Sequence, residues 1–129
     1  MRLLGLVWAG AEPPLIQAAA AKLASDQRAD GGWAQLDTLP SDAYATGQAL
    51  YALRTAEALS RTSLDKAVGF LLQTQLADGT WHVRSRAYPL QTKYFDTGFP
   101  HGRDQWISAA GTSWACIGLS IAVEPQVPR

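Results

Sequence analysis

At 129 residues, 47% hydrophobic and 17% charged, the chain fits one globular domain over 1–129 with a real core, which excludes a disordered or fibrous protein. Eleven basic residues balance eleven acidic ones, so no electrostatic footprint points to nucleic acid or an anionic membrane surface. The single cysteine, Cys116, excludes an internal disulfide and leaves the redox compartment open.

In chain order, residues 3–10 read as the tail of a buried helix. Met1 to Ala11 is too short for a secretory leader despite its Ala9-Gly10-Ala11 ending. The compartment stays open; a soluble, cytoplasmic chain is the working expectation. A helix is predicted over 13–27, opened by Pro13, a residue tolerated at the first helical position. Next, over 42–59, comes a helix rich in Ala, Gly and Thr, with Ser41 able to cap it. Leu64, Ala67, Val68, Leu71, Leu72 and Gln75 follow amphipathic spacing, predicting a helix over 63–76 with Thr62 as its cap. The last helix, over 107–122, is small or apolar nearly all round. Trp106 to Val123 carries no charge and meets the length rule for a membrane span, yet its serines, threonine and glycines fit a helix buried among helices better, so no transmembrane span is expected.

The helices fall into two kinds that alternate. Those over 13–27 and 63–76 each carry one apolar stripe and form an outer layer. Those over 42–59 and 107–122 have small residues on most sides and form an inner layer; Thr112 to Leu119 parallels Thr46 to Leu53.

A phrase joins each outer helix to its inner partner, and it occurs twice, 48 residues apart: Gln27-Arg28-Ala29-Asp30-Gly31-Gly32-Trp33 and Gln75-Leu76-Ala77-Asp78-Gly79-Thr80-Trp81. Repeats of this length belong to arrays whose units bury their faces only against neighbours. Asp30-Gly31 and Asp78-Gly79 supply turn chemistry, while Trp33 and Trp81 bring large apolar area. Gln27, Asp30, Gly31, Trp33, Gln75, Asp78, Gly79 and Trp81 are therefore structural rather than catalytic.

The repeat phrase resembles the QW repeat of squalene and oxidosqualene cyclases, with relatives among protein prenyltransferase β-subunits. The likeness runs from about Leu15 to Ala122, apart from an insertion over 82–106. It implies an all-α chain, an α/α-toroid fragment of about two and a half helical hairpins, cut from a longer array. In that family the repeat glutamine caps an inner-helix N-terminus and the tryptophan stacks on it. Family cyclases protonate substrate from an Asp-x-Asp-Asp cluster at an inner-helix start. The matching stretch, Leu39-Pro40-Ser41-Asp42-Ala43, keeps only Asp42, and a lone carboxylate has no neighbour to hold it neutral and acidic. Prenyltransferase zinc would need a cysteine two residues after an aspartate, which Asp42-Ala43-Tyr44 lacks. No metal and no cofactor are expected.

The insertion is the other candidate for chemistry. Its residues 94–106 gather Tyr94, Phe95, Phe99 and Trp106 with His101, Arg103 and Asp104. His101 and Asp104 could act as an acid/base pair, and the aromatics, with Tyr44 and Trp114, could line a pocket for an apolar or cationic ligand. The competing expectation is a packed lid. Two function classes follow: a non-catalytic repeat module, part of a larger protein or of a self-associating ring, with a trimer as the closed option; or a terpenoid- or isoprenoid-binding or cyclase/prenyltransferase-like enzyme with its pocket at the insertion. Partners are flanking repeats or further copies, an apolar small molecule at most, and no nucleic acid.

Overall fold

The computed structural model describes residues 2–88, 90 and 93–123. Within them lie five α-helices: α1 (Arg2–Trp8), α2 (Pro13–Ser25), α3 (Ala43–Thr55), α4 (Arg61–Thr74) and α5 (Gln105–Val123), the last entered through a 3-10 turn over Gly102–Asp104. The only strand-like feature among them is an isolated antiparallel bridge between Trp33 and Asp42. The expected helical alternation is present, with bounds shifted by a few residues.

The shifts have local causes. Asp42 lies outside α3 with extended backbone and caps it, its carboxylate accepting from the amide of Ala45 at 2.8 Å; Ser41 does not. Ser60, rather than Thr62, caps α4 through the amide of Ser63 at 3.1 Å. Helix α5 begins two residues earlier than predicted because Gln105 folds back and donates to the carbonyl of Gly102 at 2.9 Å.

Helices α1, α3 and α5 form an inner row with α3 in the middle, and α2 and α4 lie outside it. Small residues bring α3 and α5 together. A methyl group on Gly47 would fall 2.2 Å from the carbonyl oxygen of Trp114, and one on Gly118 would fall 3.0 Å from Leu50. The core between the layers holds Leu3, Leu4, Leu50, Leu53, Leu64, Leu71, Trp33, Trp81 and Val83. The segment Gly102–Val123 is long and apolar enough to cross a membrane by length and composition. Here α5 spends one face of that apolar character on α3, burying Ser108, Gly111, Ala115, Gly118 and Ile121.

Candidate functional site

Each repeat phrase builds the same turn. The indole nitrogen of Trp33 donates to the carbonyl of Leu23 at 2.7 Å, and that of Trp81 to the carbonyl of Leu71 at 2.9 Å. Both rings thereby add a side-chain donor to a carbonyl in the last turn of an outer helix, beside the backbone amide that each carbonyl already accepts. The backbone amide of Trp33 donates to the Thr46 hydroxyl at 3.0 Å, and that of Trp81 to the Thr112 hydroxyl at 3.1 Å. Two buried hydroxyls, Thr46 and Ser108, thus take up loop amides that water cannot reach, Ser108 serving Val83 at 3.0 Å. Asp30 and Asp78 each accept the amide two residues on at 2.9 Å, an Asx turn that sets up the reversal.

The glutamines work differently from what the resemblance implies. Gln27 reaches the carbonyl of Gly31 in its own turn and that of Ser63 in the first turn of α4, both at 2.9 Å. It ties one outer helix to the next outer helix and caps no inner helix. Gln75 makes the matching bond to Gly79 at 3.0 Å.

The insertion folds back onto the second turn around two histidines. His82 meets Asp104 at 2.7 Å, and the amide of Ser85 donates to the other carboxylate oxygen at 2.8 Å. His101 lies 2.8 Å from the Thr80 hydroxyl, which donates to Asp78 at 2.7 Å. The two imidazoles stack with centroids 4.9 Å apart and planes 14° from parallel, with Phe99 edge-on to His101. Burial pushes the Asp104 carboxyl up. The His82 hydrogen bond, the Ser85 amide and the charges of His82 and Arg84 outweigh it and hold Asp104 below the usual carboxylate range. Asp78 is likewise held low, first by the Thr80 hydroxyl.

The expected His101–Asp104 pair is therefore replaced by two other pairs. Asp104 takes His82, a residue outside the 94–106 cluster singled out in the sequence, because the chain reverses and brings residue 82 under the 3-10 turn. His101 itself sits in left-handed backbone at φ 84°. Nothing in local sequence ties 82 to 104; only the path of the insertion does.

A cavity of about 770 Å3 is an open groove that runs between α2 and α3 toward residues 85–87. Leu3, Leu15, Leu23, Trp33, Tyr44, Ala49 and Ile107 line it, with Arg2, Lys22, Asp26 and Arg86 at its rim. Lys22 is paired with Asp26, whose hydrogen bond raises its pKa. A second hollow of about 440 Å3 lies under the insertion, between Tyr88, Tyr94, Arg103, Trp106 and Ile107. There the Arg103 guanidinium stacks over the Tyr88 ring at 4.9 Å.

Of the residues singled out for a pocket, Tyr94, Arg103 and Trp106 come together in the smaller hollow, and Tyr44 lines the larger. Phe95 points outward, 77% exposed, while its carbonyl accepts from the Trp106 indole at 3.0 Å. Trp114 pairs with Tyr51 at 5.7 Å, one turn or more down the inner row. Asp42 lies in neither cavity; one oxygen caps α3 and the other takes the Gln35 amide at 2.9 Å. Among the described residues, no cluster of His, Cys, Asp and Glu has the makings of a metal site, and Cys116 is an exposed free thiol.

Residues 3–107 match the squalene-hopene cyclase C-terminal domain family. Over 100 residues, 69% of the chain, it is 32% identical to a squalene–hopene cyclase of Bradyrhizobium diazoefficiens, covering 14% of that protein. Over 67 residues, 51% of the chain, it is 39% identical to a drimenyl diphosphate synthase of Streptomyces showdoensis, covering 13% of that one. The chain thus spans only a small part of the length of the curated relatives it matches. No solved structure matches it. Two tryptophan-anchored turns, an inner row packed through glycines and a match over most of the chain agree: this protein belongs to the squalene-hopene cyclase C-terminal domain family.

Proposed function

We propose that this chain is a non-catalytic repeat module of the terpenoid-cyclase type, whose role is to pack against further repeats. What carries the reading is the state of Asp42. It is the one carboxylate where the resemblance wants a cluster, and both its oxygens are committed, to the cap of α3 and to Gln35. An acid that must protonate an alkene or epoxide needs a proton on an uncommitted oxygen and neighbours that make it strongly acidic. Both bonds to Asp42 come from N–H donors, so each oxygen serves as an acceptor, and Asp42 lines neither cavity. The open edges of the array support a packing role: Leu15 on α2 and Trp106 and Val123 on α5 are exposed. Flanking repeats would cover such edges; in the isolated chain, self-association would, and three copies in a ring would supply the helices of a closed toroid. Incubation with squalene and with oxidosqualene, followed by product analysis, tests the reading. No cyclic product is expected, and product that disappears in Asp42→Asn would overturn it.

A second reading rests on the hollow under the insertion, where Tyr94, Tyr88 and Trp106 with Arg103 make aromatic walls beside a cation. Such a lining suits an isoprenoid alcohol or its diphosphate. Tryptophan fluorescence titrated with both ligands decides it, since Trp106 forms part of the wall; unchanged spectra at millimolar ligand eliminate the pocket.

A further inference from the structure

Two histidines from the two ends of the insertion face each other beside the second repeat turn, and their hydrogen bonds fix where their protons sit. The Thr80 hydroxyl has one hydrogen and gives it to Asp78 at 2.7 Å, so its oxygen accepts from Nε2–H of His101 at 2.8 Å. An ionised Asp104 can only accept, so Nε2 of His82 carries the proton of that 2.7 Å bond. Both rings are therefore anchored through Nε2–H, and neither Nδ1 has a partner among the described residues. The proton that charges either ring adds at Nδ1 and breaks neither bond.

Charging acts instead through the surroundings. His82 touches a carboxylate directly, whereas His101 reaches Asp78 only through Thr80. The rings stack with centroids 4.9 Å apart, well inside the roughly 8 Å over which physiological salt screens two charges. The fixed charges around the pair cancel. Asp78 in the repeat turn and Asp104 in the 3-10 turn are matched by Arg84, on the segment after Trp81, and by Arg103, two residues beyond His101. Helix α5 brings no charged residue, Asp96 accepts from the Gly98 amide in its own turn, and Arg86 lies at the rim of the larger groove. Asp78 and Asp104 are both held below the ordinary carboxylate range, so they stay ionised where imidazoles change charge.

We propose that the stacked His82–His101 pair is a proton-operated latch, which closes the insertion most firmly on the second turn when the pair holds one proton. The first proton turns the His82–Asp104 hydrogen bond into an ion pair and sets an imidazolium against the face of a neutral ring. A second proton sets like charge against like across the stack and loosens the same contact. Arg103 and Trp106, which wall the smaller hollow, each lie within two residues of His101 or Asp104, so the latch also governs how that hollow is closed.

Amide hydrogen exchange of the full chain, expressed as protection factors from about pH 8 down to about pH 5, reads the latch at two sites. The Ser85 amide donates to Asp104 at 2.8 Å, and the Asp104 amide to the His101 carbonyl at 2.9 Å. Protection at both is expected to rise about threefold as pH falls and then to drop again, the size that a partly exposed ion pair supports. His101→Asn suits the left-handed backbone at φ 84° and removes the second charge, so its protection is expected to rise once and stay high. Nitrogen-15 shifts of the wild-type imidazoles give a measurement that needs no variant, and two separate charging steps are expected. Protection without a maximum in wild type, a maximum retained in His101→Asn, or both imidazoles charging in a single step each overturn the proposal.

Discussion

Gly47 and Trp114 touch backbone to backbone, and that contact sets the distance between α3 and α5. A methyl group on Gly47 would lie 2.2 Å from the Trp114 carbonyl oxygen. Alanine in a helix interior gains up to about 1 kcal/mol over glycine, whereas forcing atoms into a packed contact costs about 1–3 kcal/mol or more. Because the obstacle is backbone, the second effect wins. Gly47→Ala is expected to lower stability in urea unfolding, while Gly69→Ala, in α4 with nothing within 4 Å, is expected to raise it.

Trp81 is almost wholly buried and its indole donates to the Leu71 carbonyl. Trp81→Ala is expected to cost about 3–5 kcal/mol. Trp81→Phe retains most of the apolar area and removes one hydrogen bond to a carbonyl that keeps the Gln75 amide, for a smaller loss of about 1 kcal/mol from that bond. Trp33 is expected to behave alike. Thermal melts equal to wild type would make the repeat phrase surface decoration.

Asp104 links the insertion to the second turn, and its folded pKa lies below the ordinary carboxylate value. Its contribution is therefore fully present above about pH 4, where the unfolded group titrates, and is lost as pH falls through the folded value. Partial exposure keeps the effect to about 1 kcal/mol or less. Urea midpoints measured from pH 6 down to pH 2 are expected to fall less steeply in Asp104→Asn than in wild type. An unchanged slope would detach Asp104 from stability.

The inner row ends in open flanks, and Trp106, Ile117 and Val123 are exposed along α5. Light scattering at micromolar concentration is expected to show association rather than a monomer, with a trimer as the closed option. A stable monomer would leave flanking repeats as the sole cover.

Much of this was legible in the residues. Two copies of one phrase, 48 residues apart, determined the alternation of outer and inner helices, because turn chemistry and apolar periodicity are local and repeat with the sequence. The correspondence of Thr46 with Thr112 was legible from the parallel between the two inner helices, once the insertion is set aside, and both hydroxyls do receive the repeat tryptophan's amide. Helix ends were less legible, since Asp42 and Ser60 compete with neighbouring capping residues and only backbone geometry chooses between them.

Tertiary structure alone decided where the long-range polar bonds go. Gln27 finds Ser63 of the next outer helix rather than an inner-helix end, and Asp104 finds His82 rather than His101. Each partner lies more than twenty residues away, so the bond depends on how layers pack and how the insertion reverses. Likewise, the twin glycines Gly31 and Gly79 read alike in sequence, yet one is sealed by α4 and the other lies open. Spacing sets a residue's conformation; what covers it is set by the neighbour that the packed array places there.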